Sequence, residues 1–424
     1  MVKKMNTIEK MIDELCPVGV EWKTLGEVGE FIRGKRFVKK DITSEGVPCI
    51  HYGEMYTHYK IWAKESKSYL EPTLAAKLRV ARPGDVVIVA AGETVEDIGG
   101  GVAWLGESNV VIHDACFAFT HILNPKYVSY YLQTDLFRDQ IKRYISSGKI
   151  SSINAAGLSK AKIPIPPLAI QQEIVKILDT FTTLEAELEA ELEARKKQYE
   201  YYRDELLTFG DDVEWKVLGD VGILIRGNGL QKKDFIEDGV GCIHYGQIYT
   251  YYGTYADKTK TFVSPELAKK LKKAQKGDVL ISGVSENIEG VCKPLGWLGD
   301  EICISGDMFA FRHNQNTKFI TYLLQSTNFK RYKERFAHGA KVIRVKQDKI
   351  LDYKIPIPPL SEQERIVAIL DKFDALVNDI SVGLPAELNA RRKQYEYYRN
   401  KLLTFKEFPS SGKEFNSPPL EGWQ

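Results

Sequence analysis

Ile163-Pro-Ile-Pro-Pro-Leu168 opens a segment that runs to Arg195-Lys-Lys-Gln-Tyr-Glu-Tyr-Tyr-Arg-Asp-Glu-Leu-Leu-Thr-Phe209. The segment returns as Ile355-Pro-Ile-Pro-Pro-Leu360, ending Arg391-Arg-Lys-Gln-Tyr-Glu-Tyr-Tyr-Arg-Asn-Lys-Leu-Leu-Thr-Phe405. Proline has no amide hydrogen for a helix interior, so each run marks a start. The spacing predicts two long helices, within 163–210 and 355–408. In the first, Ile174, Leu178, Phe181, Leu188, Leu192, Tyr199, Tyr202 and Leu206 fall on a and d of a heptad, interrupted by Glu185 and Arg195. In the second, Ile366, Leu370, Phe373, Val377, Ile380, Leu384, Leu388, Tyr395, Tyr398 and Leu402 do the same. An apolar stripe on a charged helix needs a partner, and the other copy is the expected one. From Asp179 to Arg195 is 16 residues, whereas from Asp371 to Arg391 is 20. The extra four lie near Ser381-Val-Gly-Leu-Pro385, where Gly383 and Pro385 should kink or break the second helix.

What precedes each helix is also doubled. Glu21-Trp-Lys-Thr-Leu-Gly26 matches Glu214-Trp-Lys-Val-Leu-Gly219, and over residues 21–60 the second copy, 193 positions on, repeats 23 of 40 residues. The offset slips to 192 before Phe117-Ala-Phe119 and Phe309-Ala-Phe311. Identity this dense means tandem duplication. Within each copy, short apolar runs after a Gly-Asp turn (Val86–Ala90, Val279–Ser282) read as buried strands. Lys126–Tyr144 and Thr317–Phe336 read as helical. The fold class expected is α+β: two tandemly duplicated α/β domains separated by two long antiparallel coiled-coil helices in a pseudo-two-fold, circular arrangement. The divisions expected are 1–162 (with a helix at 6–15), 163–210, 211–354, 355–408 and a disordered tail at 409–424.

Composition narrows the chemistry. The chain has 424 residues, 43% hydrophobic, with net charge +2. No apolar run reaches the ~20 residues of a membrane span, and the start lacks the apolar core of a signal peptide, so a cytoplasmic protein is expected. Six cysteines never fall in C-x-x-C spacing and are expected reduced and buried. There is no phosphate loop, H-E-x-x-H or G-x-S-x-G. Asp85 and Glu93 lack the lysine that would complete a nuclease carboxylate set, so Gly84-Asp85 reads as a turn. Binding, rather than catalysis, is the function this pattern supports, with no metal site.

Basic and aromatic residues interleave as a nucleic-acid surface requires, since lysine and arginine neutralise phosphates and donors on turns reach base edges. The candidates in the first copy are Arg33, Lys35, Arg36, Lys39, Lys40, Tyr52, Tyr56, His58, Tyr59, Lys60, Glu93, Thr94 and Lys149. In the second they are Arg226, Asn228, Lys232, Lys233, Tyr245, Tyr249, Tyr251, Tyr252, Ser285, Asn287, Lys341, Arg344 and Lys346. Positions that differ inside the matching frame, including Lys35–Val38 against Asn228–Gln231 and Glu54 against Gln247, are expected to read sequence. His51 and His244, at equivalent positions, read as satisfied core or turn histidines rather than ligands.

Two variable units, each followed by the Ile-Pro-Ile-Pro-Pro-Leu run with Gln171 or Gln363 three residues on and then a near-identical helix, resemble the specificity subunit of type I restriction–modification systems. The resemblance implies that each unit is a target recognition domain reading one half of a bipartite site in double-stranded DNA. It implies helices that hold the domains apart as a spacer and dock two methyltransferase subunits, with restriction–translocase subunits joining that core. It implies no cofactor in this chain: S-adenosylmethionine would belong to the methyltransferase, and ATP and Mg to the restriction subunit. A helix of ~40 residues at ~1.5 Å each spans ~60 Å, enough for nearly two DNA turns, so helix length is expected to set the gap. The alternatives are a coiled-coil scaffold that reads no DNA, and a subunit of a related bipartite-site methyltransferase or nuclease.

Overall fold

The computed structural model describes residues 2–379 and 381–408, with side chains from Thr7 onward. The expected tail and the heptad position Ile380 lie outside the described residues. The chain forms two compact units that do not follow linear order: residues 1–185 with 391 onward form one, and 186–390 the other. Each unit combines a globular part, the beginning of the helix that follows it and the end of the other copy's helix.

In the first unit, a five-stranded sheet is ordered Gly29–Arg33, Cys116–His121, Val86–Val89, Gly101–Trp104, Trp62–Ala63. A second five-stranded sheet is ordered Ile42–Thr43, Ser68–Leu70, Val47–Ile50, Val110–Ile112, Val80–Ala81. Val86–Val89 and Gly101–Trp104 are buried at every position, because central strands covered on both faces read as continuous apolar runs. The second unit repeats this with Gly222–Arg226, Met308–His313, Val279–Ser282, Pro294–Trp297, Tyr255–Ala256, and a four-stranded partner sheet. Both sheets mix parallel and antiparallel pairs, consistent with the α+β expectation. All six cysteines are buried and free.

Two helical expectations need correction. The 126–144 stretch is two helices, Pro125–Tyr131 and Asp135–Lys142, and the second unit has Thr317–Leu323 and Thr327–Glu334. Thr134 Oγ1 accepts from Phe137 N (3.2 Å) and Ser326 Oγ from Phe329 N (3.3 Å), so an N-cap restarts the helix where periodicity alone reads through. The N-terminal helix begins at Val2 rather than residue 6 and ends at Leu15.

The first connector is one helix, Leu168–Leu206, shorter at both ends than 163–210, because Lys162–Ile165 is a strand paired with Glu21–Thr24. The second connector is two helices, Leu360–Asn378 and Leu384–Leu402, so it breaks near the four extra residues. Asp379 Oδ1 accepts from Ser381 N (2.7 Å). A Cβ on Gly383 would lie 2.4 Å from Ala375 O and 2.6 Å from Leu376 O, so the interruption can only close on glycine. Pro385 begins the next helix instead of kinking one.

The apolar stripes are covered from two sides. In the first unit Ile174, Leu178 and Phe181 join the domain core together with Tyr395 and Leu402. Phe181 stacks on Tyr398 (5.5 Å) and Glu185 binds Arg392 Nε (2.8 Å), a register that runs antiparallel. In the second unit Tyr199 joins Ile366, Leu370 and Val377, and Tyr202 stacks on Phe373 (5.6 Å). Leu188, Leu192 and Leu206 are half-buried, Leu384 likewise, and Leu388 is buried. Tyr202 stays 39% exposed.

Polar contacts fix each helix to its domain. Buried Gln171 donates from Nε2 to Pro166 O (2.8 Å) and accepts from Asn124 N (2.9 Å). Gln363 repeats both, with Pro358 O at 2.9 Å and Asn316 N at 3.0 Å. About two turns along, Asp179 accepts from Lys126 Nζ and Tyr130 OH (2.7 Å each), and Asp371 from Lys318 Nζ (2.6 Å) and Tyr322 OH (2.7 Å).

Each central sheet also carries a largely buried histidine. His121 Nδ1 accepts from Leu123 N and His313 Nδ1 from Gln315 N, while each Nε2 lacks a hydrogen-bond partner. Burial lowers both imidazoles to about 4. The unfolded chain therefore takes up these protons first, so stability is full above pH ~6.5 and is lost as pH falls towards ~4. Thermal melts should show Tm dropping by several degrees between pH ~6.5 and ~4.5, with a smaller drop in a His121→Asn/His313→Asn double variant. An identical drop in that variant would refute the assignment.

Candidate nucleic-acid interface

In each unit four chain segments enclose an open cleft. The first is a 3-10 turn, Lys39–Asp41 or Lys232–Asp234. Asp41 accepts from Val38 N and Asp234 from Gln231 N, both at 2.8 Å, which closes the turn and leaves Lys39, Lys40, Lys232 and Lys233 exposed. The second is the His-Tyr-Gly turn. His51 Nδ1 accepts from Gly53 N and His244 Nδ1 from Gly246 N, both at 3.3 Å. The third is a loop leaving the central sheet, from Ala91–Gly92 or Val284–Ser285. The fourth is a hairpin whose return strand pairs with that loop, Ser151–Ser152 or Ile343–Arg344. The hairpin tips carry Lys149 and Lys341, and Gly339 turns the second at φ +120°. A Cβ on Gly34 would sit 2.2 Å from His113 O, and on Gly227 2.1 Å from Ser305 O. Only glycine lets the incoming segment lie this close to the cleft floor.

The first cleft has a volume of about 920 Å3 and is lined by Arg36, Lys39, Tyr52, Glu93, His113 and Lys149, among others. The second, about 620 Å3, is lined by Lys232, Tyr245, Tyr249, Ser285, Asn287 and Lys341 with their neighbours. Beside it a hollow of about 380 Å3 gathers Arg226, His338, Arg344 and Lys346. Cations at the rim and mixed donors and acceptors within suit a polyanion whose bases are read from their edges.

The first cleft's floor is a ring cluster: His51 lies 4.8 Å from His113 and 4.7 Å from Tyr52, and Phe37 lies 5.2 Å from His113. Burial lowers the pKa of His51 and His113, so these rings work as neutral hydrogen-bonding groups rather than phosphate-binding cations. Burial, and then Lys232, lower His244 likewise. In the second cleft the position of His113 is Ser305, whose Oγ accepts from Tyr245 N (3.0 Å). The floors therefore differ in chemistry while the same four segments enclose them.

Several candidates are placed elsewhere. Tyr59 and Tyr252 are buried core residues, each hydroxyl accepting a backbone amide, Lys67 N and Lys260 N at 2.8 Å. Tyr249 lines its cleft, but its hydroxyl donates towards Val284 O (2.8 Å) and Gly290 O (2.9 Å), so it shapes the loop. Arg33 Nε donates to Asp114 O (2.9 Å) and Arg226 Nε to Gly306 O (3.1 Å). Lys35 Nζ reaches Lys77 O (2.9 Å) and Asn228 Nδ2 reaches Lys270 O (3.0 Å), so the two copies make one structural link with different side chains. Tyr56, His58, Lys60 and Tyr251 are exposed but do not line the clefts. Thr94 is exposed and donates to Asp97 Oδ2 (2.6 Å).

Glu54 and Gln247 are both engaged in capping the His-Tyr-Gly turn, and Gln247 also lines the second cleft. Glu54 is 9% exposed and accepts from His51 N (3.0 Å) and from Ser68 Oγ. Gln247 accepts from His244 N (2.9 Å) and donates to Thr261 Oγ1 (3.2 Å). The sequence reading missed His113 and Ser305, which flank the one-residue slip, where the frame of comparison is lost. It also passed over Asp114 and Glu286, which line the two clefts.

The profile of the type I restriction modification DNA specificity domain matches residues 17–194 and again 210–390. The chain belongs to this family. It is 37% identical over 294 residues to the EcoR124I/EcoR124II specificity subunit of Escherichia coli, covering 66% of this chain and 70% of that protein. It is 31% identical over 408 residues to a putative type I specificity subunit, S.HindORF215P, of Haemophilus influenzae, covering 91% of this chain and 96% of that one. A chain solved in work on complex assembly and conformational transition of the type I R-M system shares the fold with TM-score 0.61 and 16% identity, over 91% of this chain and 97% of its own length. This specificity subunit thus has two recognition domains. Among the described residues no helix is long and apolar enough to cross a membrane.

Since the second domain of the specificity subunit uses glutamine where the first uses Glu54, Glu54→Gln should change stability by less than ~1 kcal/mol. Glu54→Ala should cost ~1–3 kcal/mol by leaving the His51 amide unpaired. Denaturant melts of both variants test this; an equal, large loss in both would contradict a capping role.

Proposed function

We propose that each cleft reads one half of a bipartite duplex DNA site. What supports the reading is one observation: equivalent segments build the same cleft twice, and the residues lining the two differ. Lys39, Lys40, Lys232 and Lys233 contact phosphate in both halves and give affinity that falls with salt. Glu93 and His113 in one cleft, Ser285 and Asn287 in the other, meet base edges, where a carboxylate accepts from a cytosine amino group and an amide pairs with adenine.

The chain itself is a recognition subunit without catalysis. Methyltransferase subunits dock on the paired connector helices and supply S-adenosylmethionine chemistry, and restriction subunits bring ATP and Mg to that core. The connectors set the gap between half-sites, the interrupted one included.

Co-expression with the partner subunits and genome-wide mapping of adenine methylation tests this. Glu93→Ala should relax one half-site and Asn287→Ala the other, each by about tenfold or more in preference. Deletion of Val382–Pro385 should change the gap and leave both half-sites intact. Both point variants altering the same half, or neither altering any, would rule out the two-cleft reading. An unchanged gap in an active deletion variant would rule out the spacer role.

A further inference from the structure

One buried cation in the second unit has no equivalent in the first. Lys333, on the Thr327–Glu334 helix, is 4% exposed. Its ammonium donates to Glu289 O (2.6 Å) and to Val291 O. Both carbonyls belong to the loop that begins at Ser285 and forms one wall of the cleft. Neighbouring contacts hold the same loop: Gly290 N donates to Asn287 Oδ1 (2.7 Å), and Tyr249 OH donates to Gly290 O (2.9 Å).

The equivalent residue in the first unit is Ile141, and the change is matched across the contact. Gly99, at φ +86°, packs so closely on Ile141 that a Cβ there would lie 2.4 Å from its Cδ1. In the second unit the position of Gly99 is Cys292, at φ +60°, which among the described residues is the only non-glycine with positive φ. The left-handed conformation is unfavourable for a residue with a side chain, yet the loop path is kept in both units although glycine is lost in one. Burial raises the Cys292 thiol to about 12, so it stays neutral and offers the lysine no counter-ion. The two main-chain carbonyls satisfy the charge instead, and a buried ammonium strongly opposes losing such partners.

We infer that Lys333 is a positioning residue for sequence reading by the second cleft, fixing the 285–292 loop so that Ser285, Glu286 and Asn287 meet bases in a single arrangement. The inference rests on the two-cleft reading. Lys333 does not line the cleft, and it acts through the loop. The first domain holds its equivalent loop by glycine packing and by the Thr94–Asp97 contact, so the two half-sites are read by walls anchored in different ways.

The test uses the full chain with its partner subunits and two variants, Lys333→Met and the double variant Cys292→Gly/Lys333→Ile, which rebuilds the first unit's glycine–isoleucine packing. Hydrogen exchange at the amides of 286–291 should accelerate about tenfold or more in Lys333→Met and stay unchanged at 93–98. Methylation mapping should show relaxation of the half-site that Asn287→Ala relaxes and no change at the other. The double variant should recover most of any lost Tm, because its packing is that of the first unit, yet remain relaxed at that half-site, because Gly290 stands at the position of Asp97 and cannot repeat the Thr94–Asp97 contact that also holds the first loop. Unchanged exchange in Lys333→Met overturns the inference, and so does discrimination that returns together with Tm in the double variant. Faster exchange with an intact half-site overturns it too, while leaving the two-cleft reading standing. If neither Asn287→Ala nor Glu93→Ala alters a half-site, the two-cleft reading falls and this inference with it.

Discussion

A buried glutamine amide joins the domain to its connector helix in each unit. Gln171 and Gln363 sit one turn into their helices and each satisfies a carbonyl of the proline run and an amide capping a domain helix. The prolines cannot make these bonds themselves, and an unpaired buried amide would cost ~1–3 kcal/mol. The helix therefore leaves the domain in a defined direction. The Lys126–Asp179–Tyr130 and Lys318–Asp371–Tyr322 contacts repeat the restraint about two turns further along. Without this joint, neither the antiparallel helix register nor the placement of a cleft relative to its own helix would be specified.

From that joint outward the two units divide into parts that must match and parts free to differ. The central five-stranded sheets, the glutamine contacts and the glycines under the cleft floor recur in both units. The cleft interior is where the chemistry changes: His113 against Ser305, Gly92 against Ser285, Thr94 against Asn287. Such an arrangement suits a protein that presents two different readouts from one scaffold, because a wall residue can change without disturbing the core.

How much was legible in the sequence depended on whether the deciding interaction was local. The duplication, the two helical connectors and the Gly-Asp turns were readable because periodicity, proline and glycine act within a few residues. The break in the second connector was foreseen from Gly383 and Pro385, although proline turned out to begin a helix. Aromatic candidates fared worse: Tyr59 and Tyr252 follow basic, aromatic stretches yet are buried, since burial is set by what packs on a residue and not by its neighbours in sequence. Glu54 and Gln247 looked like a difference in reading and are one cap made by two side chains.

By itself the sequence determined the tandem plan, the two helical connectors and the family, because repeats and stripes are one-dimensional patterns that survive without coordinates. Only the tertiary structure decided which candidate cations stand at a cleft and which, like Arg33 and Lys35, are spent on backbone carbonyls. It also decided that each compact unit borrows the end of the other copy's helix. The reason is the same in both cases. Hydrogen bonds and apolar contacts between residues tens to hundreds of positions apart leave no local trace, so their partners become known only when the chain is folded.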